Sequence, residues 1–199
     1  MEPAARMPLL PALEVVSKQR QDQIVITTMG SAREWPKLSR HALDLHYLPS
    51  AMGQAPTLGL GLALSQPRRD VIVFNGDGCM LMNLGCLVTI AASQATNFTL
   101  IVLENGIYEV TGGQSTAAAA MPEHARQVDF AGLARTAGVR SVFEFDDLTA
   151  WQREAAAVLQ SPGPRFVCLH VLPAGADYHL PTMPPLVDRL TAFLSALTS

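Results

Sequence analysis

Charge is scarce in this 199-residue chain: Asp, Glu, Lys and Arg together supply only 16% of it. Aromatic residues reach 6%, and there are just three cysteines. The 14 Lys and Arg are outnumbered by 17 Asp and Glu, a formal charge of −3. With a pI near 5.9, that leaves no basic stripe for nucleic acid or for an anionic membrane surface. Cys79, Cys86 and Cys168 are odd in number and form no CxxC pair. They read as small core hydrophobes, the first two at i and i+7 of one helix, and a reduced, cytoplasmic compartment suits them. No apolar run reaches the length of a membrane span. The opening "MEPAARMPLLPALEVVSKQR" has no sustained apolar segment and carries Glu2, so no signal peptide is expected there.

Apolar residues, by contrast, make up 49% of the chain, and mean hydropathy is +0.21. Such a chain buries more than a typical monomer, and an oligomer with a substantial protein interface is expected. The length fits one domain, 1–199, better than two.

Short apolar runs alternate with helix-like segments. "QIVITT" (Gln23 to Thr28), "DVIVFN", "NFTLIVLEN" (Asn97 to Asn105), "SVFEF" and "PRFVCLHVL" read as strands. "PALEVVSKQR", "SAREWPKLSR" opening on Ser31 and interrupted near Pro36, "AMGQAPTLGLGLALSQ", "MNLGCLVTIAASQ", Asp129 to Ala137, Leu148 to Gln160 and a segment from Pro185 read as helices. Leu43 to Ser50 reads as a loop, and Gly106 to Gln127 as a long connector rich in Gly, Ala and Thr. Gly59 and Gly61 cost helix propensity and suggest close packing on a neighbouring backbone. Continuous rather than alternating apolar strands, each followed by a helix, predict a doubly wound α/β domain with a mostly parallel sheet.

In such sheets ligands bind beyond the carboxyl ends of the strands. Three of those ends carry unusual residues: Thr27-Thr28-Met29-Gly30-Ser31, Asn75-Gly76-Asp77-Gly78 and Glu104-Asn105-Gly106. Taken alone, Asp77 reads equally as a turn residue, a helix cap or a ligand for something charged. Its glycine neighbours permit close backbone approach, and a helix N-terminus follows. A carboxylate there would repel a phosphate unless a hard cation such as Mg²⁺ lay between them. Asp77 could offer a carboxylate oxygen and Asn105, 28 positions on, an amide oxygen. His41 and His46 read as loop residues, and His124, His170 and His179 have no ligand-like spacing.

"GDGCMLMNLGCLVTIAASQATNFTLIVLENGIYEVTGGQ" resembles the cofactor motif of the thiamine-diphosphate-dependent enzymes, which runs from Gly-Asp-Gly to an Asn. "LPSAMGQAPTLGLGLALSQPRRDVIVFNGDG" is similar to the stretch preceding it. Within the family, "LMNLGCLVTIA" and "ENGIYEVTGGQ" look most like the sulfopyruvate and phosphonopyruvate decarboxylases. The resemblance implies thiamine diphosphate and Mg²⁺ as cofactors, with Asp77, the Asn105 side chain and the Ile107 carbonyl as metal ligands. It implies diphosphate contacts from Gly30, Ser31, Gly76, Gly78 and Cys79, and a cofactor wedge at Met52. The Ser50 carbonyl would meet the cofactor's 4′-amino group. Tyr108, Thr111 and Gln114 would face a small 2-oxoacid substrate, or simply belong to a flexible connector hinged at Gly112-Gly113. Two positions depart from the pattern: Cys79 stands where Ser is common, and Glu104 where a second Asn is common.

The family also uses a Glu on a separate pyrimidine-binding domain. Glu14, Glu104, Glu144 and Glu154 do not sit in that context, so the resemblance implies a partner subunit that carries the catalytic Glu. The alternatives are an oxidoreductase or carboligase half, a non-catalytic cofactor-binding module, or a domain for another Mg²⁺-diphosphate ligand.

Overall fold

The computed structural model describes residues 6–117, 128–174 and 182–198. Among these residues eight strands run in chain order as β1 (Ile24–Thr27), β2 (Asp44–His46), β3 (Val71–Gly76), β4 (Phe98–Glu104), β5 (Ile107–Tyr108), β6 (Gln114–Ser115), β7 (Ser141–Phe145) and β8 (Arg165–His170). Six of them form one sheet in the order β2-β1-β3-β4-β8-β7, and every pairing in it is parallel. β5 and β6 make a separate two-residue antiparallel hairpin.

Helices cover both faces. Val25, Ile72, Phe74 and Ile101 point to a core shared with α1 (Leu9–Gln19), Trp35 and α7 (Leu148–Gln160). Their neighbours Ile24, Ile26, Val71 and Val73 point to the other core. That one is shared with α3 (Ala55–Ser65), α5 (Cys86–Ser93), α6 (Phe130–Ala137) and α8 (Leu186–Thr198). Both faces of each strand are therefore apolar, which is why the runs in the sequence do not alternate. The doubly wound fold is as expected. The chain leaves β1 for the edge strand β2, then returns to place β3 on the other side of β1. The order therefore reverses between β1 and β3, and the crevice outside their carboxyl ends is where such sheets bind ligands.

Several local readings need correction. Leu43 to Ser50 is not all loop: Asp44, Leu45 and His46 pair with Val25, Ile26 and Thr27. Three residues are too few to show a period. The helix read as opening on Ser31 begins earlier, as α2 (Met29–Glu34), and continues as one 3₁₀ turn over Trp35–Lys37. α3 starts at Ala55, after the 51–54 loop. Cys79 and Cys86 do not share a helix. Cys79 lies in α4 (Asp77–Leu81) and Cys86 opens α5, separated by a turn in which Asn83 Nδ2 donates to the Gly53 carbonyl at 2.9 Å. Gly59 packs tightly, since a Cβ there would stand 2.2 Å from Val73 Cγ2, whereas nothing lies within 4 Å of one on Gly61. His124 and His179 lie outside the described residues, as does the connector over 118–127. Among the described residues no helix is long and apolar enough to cross a membrane.

Candidate functional site

The ends of β1, β3 and β4 meet around a cavity of about 280 Å³. Gly30, Ser31, Met52, Gly76, Asp77, Gly78, Cys79, Asn105, Ile107, Tyr108 and Thr111 all line it. Ser50 and Gln114 do not. Distant segments of the sequence thus converge because parallel strands deliver their carboxyl ends to one edge.

Asp77 is the first residue of α4 and only 1% exposed. Its Oδ2 accepts the Gly106 N–H at 2.9 Å and the Thr116 hydroxyl at 3.4 Å. Burial pushes its carboxyl up to about 6, against the pull of the Gly78 and Gly106 N–H groups. Among the described residues no Lys, Arg or His forms an ion pair with it. A buried carboxylate held by amides and lacking a cation suits a hard metal ion.

Gly106 has φ +78, so the amide that reaches Asp77 depends on glycine. The preceding residue is Asn105, whose Oδ1 accepts the Ile107 N–H at 3.0 Å. One backbone step therefore separates the two side chains singled out in the sequence. Gly76 and Gly78 act through space rather than through backbone strain: neither has positive φ. Nothing lies within 4 Å of a Cβ placed on Gly76, so that atom would enter the cavity. On Gly78 it would stand 2.6 Å from the Tyr108 ring. An open cradle beside an unpaired carboxylate fits a diphosphate with its metal.

The Ser31 hydroxyl is taken up locally, accepting from Thr28 N–H at 3.0 Å and donating to Thr28 O at 2.6 Å. Toward a ligand this residue therefore offers main chain only. Ser50 Oγ is buried and, among the described residues, has no hydrogen-bond partner. Met52 is 45% exposed, a large apolar side chain left at the cavity mouth. Burial pushes the Cys79 thiol up, and it bonds the Gly53 backbone, tying α4 to the Met52 loop. Thr111 and Gln114 close on each other, Oγ1 to Oε1 at 3.0 Å and Nε2 to the Thr111 carbonyl at 2.9 Å. The turn between them uses Gly112 and Gly113 at φ +118 and +77.

Glu104 turns away from the cavity. Arg6 Nη2 donates to its Oε1 at 2.9 Å and His170 Nδ1 meets its Oε2 at 2.5 Å. The departure at this position is thus spent on an ion pair, not on the ligand cavity. His46 bonds the Thr27 hydroxyl through Nδ1 at 2.8 Å and does not line the cavity. His41 is on the surface beside Arg20.

The sequence reading overlooked Glu109, which also lines the cavity. It bonds the Asn105 side chain, accepts the Ala174 N–H at 2.5 Å, and is raised by burial. A Cβ on Gly30 would stand 2.6 Å from its Oε2. Its spacing of four from Asn105, within a turn-rich stretch, was the available signal.

Residues 26–169 match the family model for the thiamine pyrophosphate enzyme C-terminal TPP binding domain. The chain is 38% identical over 177 residues to a phosphonopyruvate decarboxylase of Streptomyces viridochromogenes, covering 87% of this chain and 42% of that protein. It is 36% identical over 166 residues to the sulfopyruvate decarboxylase subunit beta of Methanothermobacter thermautotrophicus, covering 83% of each. It thus spans less than half of the first relative and most of the second. A solved structure from Mycobacterium smegmatis, described as a thiamin diphosphate-dependent enzyme, superposes with TM-score 0.68 at 20% identity, over 85% of this chain and 32% of that one. This chain belongs to the thiamine pyrophosphate enzymes, through their C-terminal TPP-binding domain.

Proposed function

We propose that this chain is the cofactor-binding subunit of a thiamine-diphosphate-dependent decarboxylase. Its substrate is a 2-oxoacid bearing a second acidic group, of the sulfopyruvate or phosphonopyruvate kind. The observation that carries the reading is Asp77: a carboxylate 1% exposed, with no ion-pair partner among the described residues, beside an open glycine cradle. The names of its relatives supply the substrate class.

Asp77, Asn105 Oδ1 and the Ile107 carbonyl would hold Mg²⁺, which in turn neutralises a diphosphate. Gly30, Ser31, Gly76, Gly78 and Cys79 would present backbone to that diphosphate, with Gly76 leaving room for it. Met52 would press against the organic rings, and the Ser50 carbonyl would orient the aminopyrimidine. Bound thiamine diphosphate supplies the electron sink for the pair released when the carboxylate leaves as CO₂. Tyr108 and Thr111 line the cavity and would exclude water above the reacting carbon; Gln114 would act by holding Thr111. Glu109 would fix the Asn105 amide.

No Glu of the cavity stands in a pyrimidine-binding context, and Met52 lies open at its mouth. A pyrimidine-binding subunit would cover that mouth and bring the activating Glu. The 199 residues would then form one domain of a hetero-oligomer working in the cytoplasm. The test is CO₂ release from sulfopyruvate, phosphonopyruvate and pyruvate by this chain co-expressed with a pyrimidine-binding subunit. Turnover of either diacid, absent from Asp77→Ala, is expected. Turnover of pyruvate alone would refute the substrate class.

A further inference from the structure

On the far side of Glu104 from the cavity, β4, β7 and β8 end in a second cluster. Register places Glu144 opposite Cys168 and Glu104 opposite His170. One ligand-capable atom each from Glu144, Cys168 and His170 lies within 4.8 Å of the others. None of the three lines the cofactor cavity. Their spacing gave no sign of this in the sequence, because two come from alternate positions of one strand and the third from its neighbour.

We propose that Cys168 Sγ, His170 Nε2 and Glu144 Oε1 form a binding site for a divalent ion of intermediate softness, with Zn²⁺ the best match. Thiolate, imidazole and carboxylate together select such an ion over Mg²⁺. The outer groups are already arranged for it. Glu104 Oε2 meets His170 Nδ1 at 2.5 Å, and Arg6 anchors the same carboxylate through Oε1 at 2.9 Å. A carboxylate on Nδ1 fixes the tautomer that leaves Nε2 free to ligate, as in many zinc sites. Nε2 faces Glu144 Oε1 at 2.8 Å, so a metal would take the place of the proton between them after a small outward shift.

Cys168 is an independent pointer. Its thiol is 1% exposed and, among the described residues, has no hydrogen-bond partner. Burial and the nearby carboxylates of Glu144 and Glu104 push the thiol well above its ordinary range, so without a cation it stays protonated. Coordination displaces that proton, and any on Nε2, to solvent. Charge then balances: the thiolate and Glu144 offset the dication, while Arg6 offsets Glu104. The Glu144 side chain is 40% exposed and provides the entry path.

Chelator-treated protein, titrated with Co²⁺ in excess Mg²⁺, tests the site. We expect one equivalent of Co²⁺ to give a thiolate-to-cobalt charge-transfer band that Zn²⁺ abolishes. Cys168→Ser should remove the band and Cys86→Ala should keep it. Glu144→Gln, at an exposed edge, should weaken binding roughly tenfold or more while folding normally. The absence of a band in the wild type would overturn the proposal and leave His170 as an imidazolium between two carboxylates. So would a band that survives Cys168→Ser, or one lost on Cys79→Ala.

Discussion

Asp77→Asn should stabilise the metal-free chain while destroying its metal-dependent ligand binding. The carboxyl of Asp77 rises from 3.8 to about 6 on folding, chiefly through burial. The folded state therefore binds its proton more tightly than the unfolded state does. Below pH 3.8 the group costs nothing, between 3.8 and about 6 the penalty grows, and above that window it is complete. A rise of that size corresponds to a penalty of about 3 kcal/mol at neutral pH. Asparagine keeps an acceptor for the Gly106 N–H but adds an NH₂ group that needs its own partner, so a net gain of about 1–2 kcal/mol is expected. For a chain of this size that is roughly 2–8 °C in Tm.

The assay is the Tm difference between Asp77→Asn and wild type in chelator from pH 4.5 to 8, which cancels groups common to both. The difference should be near zero or negative at the acid end and grow positive through pH 6. Mg²⁺ with thiamine diphosphate should reverse the order at pH 7.5 by stabilising only the wild type. A variant less stable than wild type at pH 8 without metal would refute the reasoning, as would a difference independent of pH.

Further outcomes follow from packing and charge. Gly59→Ala should cost about 1–3 kcal/mol in denaturant unfolding, because its Cβ meets Val73 at 2.2 Å. Gly61→Ala, with nothing within 4 Å, should gain up to about 1 kcal/mol. Gly76→Ala should leave the melting curve unchanged yet weaken thiamine diphosphate binding in calorimetry, since its methyl group would occupy only the cavity. Arg6→Ala leaves Glu104 buried with His170 as its remaining partner, and should destabilise by about 1–3 kcal/mol. That loss should be smaller in acid, because a His170 raised by Glu104 holds its proton there and contributes stability that fades as pH rises through its folded value.

The sheet was legible because each central strand is apolar on both faces, as Val71–Gly76 and Phe98–Glu104 are. β2 was not, because its three residues take their strand geometry from β1 rather than from their own pattern. Asp77 and Asn105 stood out through their glycine neighbours and strand-end positions. Gly76 and Gly78 were legible as places of close backbone approach, whereas the positive φ beside Asp77 belongs to Gly106, which the sequence did not single out for it. Glu104 stood out in the sequence, but its partnership with His170 did not, because it spans 66 positions. Glu109 was missed for a related reason, as its contacts to Ala174 and Gly30 join segments that only the fold brings together.

The central claim is that Asp77 holds a metal that holds a diphosphate. Calorimetric titration with thiamine diphosphate, with and without Mg²⁺, tests it on wild type and Asp77→Ala, each alone and with a pyrimidine-binding subunit added. The account predicts Mg²⁺-dependent binding by the wild type that the variant loses. Binding without metal, binding retained by the variant, or no binding under any condition would contradict it.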